Sequence, residues 1–229
     1  MNKNTKKKTR QTATIDKAHT PNNDVIRSDA GNALTNEPAA AQTPDIDRSL
    51  PRCWPLEAIS PLMAYYHDHE WGVPCHDSQQ LFEQLGLEAM QAGLSWNTVL
   101  NKRASLDEAF HGFDVERVAA MTPEIPELLE NKAIIRNRRK IEAIIHNAQV
   151  VLELDMPFAD YIWRFAPDGP KTNRPKQWAD VPVTTPQAEA MSKAMKADGF
   201  KFVGPTIIYA YMQSIGMVND HCVGCFRCV

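Results

Sequence analysis

Apolar residues recur at helical spacing in several stretches of the chain. Leu81, Phe82, Leu85 and Met90 fall on one side of a segment entered through Asp77 or Ser78, either of which can accept a hydrogen bond from the open amides of a first helical turn. Ile134, Ile141, Ile145, Ala148 and Leu152 are spaced by three, four and seven residues and predict a second amphipathic helix. Its N-terminal end carries Arg136, Arg138, Arg139 and Lys140. Such a run serves equally well as a solvated face or as a surface that meets phosphates, and the pattern does not separate the two.

Further on, Thr185 followed by Pro186 predicts an N-cap with proline at the first helical position, and Gly199 supplies the left-handed stop after Ala188 to Lys196. Gly204-Pro205 opens another helix, whose Ile207, Ile208, Tyr211 and Met212 face inward until Gly216 ends it. Pro167 to Pro186, rich in proline and polar residues, is expected to be a long surface loop between two helical lobes. No run of alternating β-branched residues appears, so the expected fold class is all-α.

Composition divides the 229 residues unevenly, because every aromatic, including five Trp, and all five Cys lie beyond Leu50. Residues 1–48 lack the apolar surface needed to offset the entropy of ordering and are expected to form a disordered tail, leaving 49–229 as one helical domain. The basic opening has no apolar stretch behind it, which predicts neither a secretory signal nor a membrane span and places the protein in the cytoplasm. A formal net charge of −3 argues against coating nucleic acid by bulk charge, so any such binding must be local.

One local feature fits that requirement. Between the last two predicted helices, Gly199-Phe200-Lys201-Phe202-Val203-Gly204 has the layout of a helix-hairpin-helix turn, which aims backbone N–H groups at the start of the following helix, where a phosphate is favoured. Lys201, Val203, Gly204 and Thr206 are the candidate DNA contacts, with Pro205 removing one potential donor.

Cys53, Cys75, Cys222, Cys225 and Cys228 are an odd set in a chain without an export signal, which favours metal ligation over a disulfide framework. His221 and Cys225, four residues apart, can present one nitrogen and one thiolate to a metal; Cys53 and His67 would complete a tetrahedral zinc site joining the two ends of the domain. The run Cys222, Cys225, Cys228 equally suits an iron–sulfur cluster with Cys53 or Cys75 as the fourth ligand, and plain buried thiols are a third reading. Spacing leaves these open.

Five strings, in register over nearly the whole domain, together resemble the 3-methyladenine DNA glycosylase I family of helix-hairpin-helix DNA glycosylases. They are Arg52-Cys53-Trp54; Ala64-Tyr65-Tyr66-His67-Asp68-His69-Glu70-Trp71-Gly72-Val73-Pro74; Leu87-Glu88 with Gln91-Ala92-Gly93-Leu94-Ser95-Trp96; the hairpin Gly199 to Gly204; and Val218-Asn219-Asp220-His221 with Gly224-Cys225. The resemblance implies structural zinc on Cys53, His67, His221 and Cys225, leaving Cys75, Cys222 and Cys228 as free thiols, of which Cys228 is the nearest substitute ligand. It also implies excision of 3-methyladenine from double-stranded DNA containing alkylated bases, by a monomer that needs no membrane.

By the same resemblance, Glu88 is the pocket acid that meets the amino edge of the base. Trp96 is its stacking platform, Tyr66 a hydrogen-bonding wall, and Trp54 and Trp71 further walls. Leu94, beside Gly93, is the apolar wedge that fills the space of a flipped nucleotide. Asn219 stands where related glycosylases carry an essential aspartate, so no carboxylate general base is expected; no lysine suggests a Schiff base, so the product is an abasic site. Met63 departs from the aromatic residue common near that place in the pocket.

Overall fold

A computed structural model describes residues 46–166 and 168–229, so nearly all of the expected tail lies outside the described residues. Ten α-helices occur among them: α1 (Pro61–His69), α2 (Ser78–Gln91), α3 (Trp96–Leu100), α4 (Arg103–Ala109), α5 (Val115–Ala119), α6 (Ile125–Glu130), α7 (Arg138–Leu152), α8 (Phe158–Trp163), α9 (Pro186–Ala197) and α10 (Pro205–Ser214). None is long and apolar enough to cross a membrane.

The local signals act as read. The Asp77 side chain accepts from the Gln80 amide at 2.8 Å and starts α2. Thr185 caps α9, with Pro186 at its first position. α2 is more deeply placed than its apolar stripe suggests, because from Gln84 to Gln91 every residue is buried, with α3, α7, α8 and α10 packed around it. One apolar core runs unbroken from α1 to α10, so the loop over residues 168–185 separates two sets of helices but not two cores.

Three expectations are corrected. The fold is not purely helical: β1 (Lys171–Thr172) and β2 (Val218–Asn219) pair in parallel, Lys171 opposite Val218 and Thr172 opposite Asn219. Strands of two residues are too short to leave an alternating pattern in sequence. The stripe of α7 is shorter than expected: Ile141, Ile145 and Ala148 are buried, but Ile134 precedes the helix and Leu152, in its last turn beyond the packed neighbours, is 52% exposed. Finally, Lys140 is not a surface member of the basic run; it is 5% exposed and bonded inward, while Arg136, Arg138 and Arg139 stay on the surface.

Candidate active site and metal centre

The Ser60 hydroxyl accepts from the Met63 amide at 3.2 Å, which starts α1, and donates to Asn97 Oδ1 at 2.8 Å, which ties α1 to α3. That tie brings the Tyr66 ring to 5.2 Å from Trp96, the first residue of α3. Met63, at the position where an aromatic is common in the family it resembles, is buried in the same core. On the central helix, Glu88 is fully buried, and neither of its carboxylate oxygens has a hydrogen-bond partner. The Tyr66 hydroxyl is likewise buried and unpaired.

Such groups are costly, roughly 1–3 kcal/mol each and more when charged, so natural interiors rarely leave two of them together. Burial pushes the Glu88 carboxyl well above the usual carboxylate range. Burial, reinforced by the charge of Glu88, likewise raises the Tyr66 phenol. The arrangement sets buried polar atoms of Glu88 and Tyr66 among aromatic rings. Gln84, one turn earlier on the same face of α2, adds another buried and unpaired oxygen that sequence reasoning missed. The signal was available as a polar pair at i, i+4 on a core helix.

At the end of α2 the chain turns sharply. Gly93 sits at φ +80°, a conformation that side chains disfavour, and the turn leaves Leu94 41% exposed.

The metal-ligating types converge around His67, the residue of α1 that follows Tyr66. One donor atom each from Cys53, His67 and Cys225 lies within 4.8 Å of the others. His67 Nδ1 faces Asp68 Oδ1 at 2.8 Å, and Asp68 is in turn held by the buried Arg52, whose Nη2 donates at 2.6 Å. His221 Nδ1 is tied to Asn219 Oδ1 at 2.8 Å. His67 Nε2 thereby faces Cys225 Sγ at 3.5 Å, the arrangement typical of a metal-ligating histidine, whereas His221 Nε2 faces the His67 carbonyl at 3.4 Å.

His221 departs from the expected four: its ring stands edge-on, 4.7 Å from that of His67, beside the three-residue group rather than inside it. Burial, then the neighbouring His67, push His221 down to about 3, which keeps it neutral as a ligand must be. Gly72 makes room for it: at φ +74°, a Cβ there would lie 2.9 Å from the ring. The hydrogen bond between the two thiols lowers Cys225 and, with burial, raises Cys53. The Cys222 amide also donates to Cys53 Sγ at 3.2 Å and the Arg227 amide to Cys225 Sγ at 3.4 Å. Mixed thiolate and imidazole donors with second partners suit zinc. Cys75 stands apart, its thiol turned toward Gln80 Oε1 at 3.5 Å.

Trp54 and Trp71 make their ring contacts with each other at 6.0 Å, with His67, with Trp178, and in the case of Trp71 with His221 at 4.5 Å. Both indole N–H groups are buried and unpaired. The amide of Trp71 donates to the Tyr66 carbonyl at 2.9 Å, which joins this aromatic group to α1. Trp178 was missed; a tryptophan in an otherwise polar, proline-rich loop was its signal.

In the turn between α9 and α10, Lys201 is exposed, Gly204 is the N-cap of α10 without a side-chain cap, and Thr206 is half-buried. The Val203 side chain is buried and its carbonyl accepts from Ser192 Oγ at 2.6 Å, so only its amide remains as a candidate contact. Asp220, the acid beside Asn219, accepts from Tyr209 Oη, Gln213 Nε2 and Asn173 Nδ2 at 2.6–2.7 Å, which fits a structural tie and not a free base.

Residues 54–228 match the family model for methyladenine glycosylase. The chain belongs to the methyladenine glycosylase family. It is 48% identical over 169 residues to DNA-3-methyladenine glycosylase 1 of Escherichia coli (strain K12), covering 72% of this chain and 90% of that relative. Among solved structures, a 3-methyladenine DNA glycosylase I superposes with a TM-score of 0.71 at 49% identity, covering 73% of this chain and 94% of the other. A variant of 3-methyladenine DNA glycosylase I in complex with 3-methyladenine superposes with a TM-score of 0.72 at 34% identity, covering 74% and 94%. The matched residues include Tyr66, Glu88 and Trp96 and, of the metal group, His67 and Cys225; Cys53 stands one position before them.

Proposed function

We propose that this protein is a monofunctional DNA glycosylase that flips 3-methyladenine out of alkylated duplex DNA and hydrolyses its N-glycosidic bond, leaving an abasic site. The observation that carries the reading is the buried, unpartnered carboxyl of Glu88 beside the unpaired Tyr66 hydroxyl. The relatives named for 3-methyladenine, one of them solved with that base bound, support the choice of guest.

Methylation at N3 makes the purine cationic and its bond to the sugar weak, so the protein need not protonate the leaving group. Trp96 offers a face for the ring, Tyr66 a wall with a hydroxyl, and Glu88 an acceptor for the amino edge. The carboxylate is costly in an empty site and is offset by a cation, so a neutral adenine gains less from the same pocket. Leu94 takes the vacated place in the stack, and the amides of the hairpin at Lys201 to Thr206 hold a phosphate. Asp220 takes no part in proton transfer because its oxygens are committed to Tyr209, Gln213 and Asn173.

Zinc would be held by Cys53, His67 and Cys225, with His221 as the fourth ligand. A closed set of protein donors makes its contribution structural, clasping the start of the domain to its end. The test is release of free base from methylated duplex DNA. Wild-type protein is expected to liberate 3-methyladenine, and Glu88→Ala protein to lose most of that release. No release by zinc-loaded wild type, or undiminished release by the variant, would falsify the reading.

A further inference from the structure

Both elements that the proposed function sends to DNA are bonded to one face of α7. Near the start of that helix, Lys140 Nζ donates to the carbonyls of Met90 at 2.7 Å and Ala92 at 2.6 Å. These acceptors lie in the last turn and C-cap of α2, where open carbonyls and the negative end of the helix dipole favour a cation. The next residues are Gly93, at φ +80°, and the exposed Leu94.

Seven residues further along α7, about 10 Å on the same face, Asn147 clasps the hairpin from inside. Its Nδ2 donates to the Lys201 carbonyl at 3.0 Å and its Oδ1 accepts from the Lys201 amide at 2.7 Å. His146 Nε2 adds a bond to the Gly199 carbonyl at 3.0 Å. All these bonds go to the main chain of the two loops. The side chains of Leu94 and Lys201 are left outside, free to meet a partner.

We infer that Lys140 and Asn147 are positioning residues for DNA engagement, with α7 serving as a rigid spacer that holds the Leu94 turn and the Lys201 hairpin at the separation where both grip one duplex. The inference rests on the glycosylase reading above. A wedge acts only if its backbone resists being pushed back when the stack closes, and a phosphate cradle only if it stays in register with that wedge. Two buried polar side chains, each bonded twice to one loop, meet both needs in a way that apolar fillers of equal volume cannot.

The test is a pair of double-mutant cycles read by affinity for a short duplex carrying a tetrahydrofuran abasic-site mimic, with affinity for free 3-methyladenine measured alongside. Lys140→Met and Leu94→Ala are each expected to weaken binding of the mimic duplex roughly tenfold and the free base less than about twofold, and the double variant to bind no worse than the weaker single. Asn147→Ser with Lys201→Ala forms the second cycle, with the same expectation, and decides the matter if Lys140→Met does not fold. Multiplicative effects in the cycles, or parallel loss of free-base binding, overturn the inference while the glycosylase reading stands. Wild-type protein that binds the mimic no better than undamaged duplex overturns both.

Discussion

An acid sealed in the interior without a partner makes stability depend on pH in a direction opposite to that of paired carboxylates. Glu88 is fully buried, and burial raises its folded-state value well above that of an exposed glutamate. Between the unfolded value, about 4.3, and that raised value, the folded chain retains a proton the unfolded chain has lost. Stability from this group is therefore fully present below about pH 4.3 and falls by about 1.4 kcal/mol per pH unit above it, until the folded carboxyl ionises. Glu88→Gln keeps the shape and removes the titration. Urea unfolding of zinc-loaded wild type and variant, paired at each pH from 4 to 8, cancels the titration of all other groups. The variant should gain on wild type as pH rises, by about 1.4 kcal/mol of unfolding free energy per unit. A difference that stays flat with pH would show that Glu88 is solvated or paired, and the pocket argument would fail with it.

Zinc-loaded protein should be colourless and hold about one metal per chain, whereas Cys225→Ser protein should lose the metal and melt earlier; broad visible absorption in the purified wild type would favour iron–sulfur instead. Asp220→Asn is expected to cost about 2 kcal/mol in urea unfolding, because an amide cannot accept from all three donors around it. Base release per folded molecule should fall less than about tenfold, and a loss approaching that of Glu88→Ala would mark Asp220 as the missing base. Lys201→Ala should weaken DNA binding and reduce the slope of log affinity against log salt by about one, measured by titration at several salt concentrations. An unchanged slope would remove Lys201 from the phosphate surface.

What could be read from the residues alone was mostly what is decided within a turn of chain. Asp77, Thr185-Pro186, Gly199 and Gly216 punctuate helices through their own backbone preferences and their nearest amides, so the ends of α2, α9 and α10 were legible. What depends on distant partners was not. Lys140 looks like one more charge in a basic run, because the carbonyls that draw it inward come from residues about fifty positions earlier. The pairing of β1 with β2 is equally non-local. Trp178 joins the aromatic group only because its loop folds back over Trp54 and Trp71.

Glu88 is the harder case, since an acid on an amphipathic helix is ordinarily at the surface, and only resemblance pointed to it. The reason lies in α2, whose polar residues are as buried as its apolar ones over the last two turns. Ordinary packing would select against an unpaired carboxyl, an unpaired phenol and an unpaired amide oxygen on and around such a helix. On the glycosylase reading proposed above, a guest supplies the compensation. The guest that provides it must bring donors for the acceptors and positive charge for the acid, and must be flat enough to lie against Trp96. A cationic methylated purine meets all three demands, while a neutral base meets two. On that reading, the cost of burying Glu88 without a partner is itself the source of discrimination.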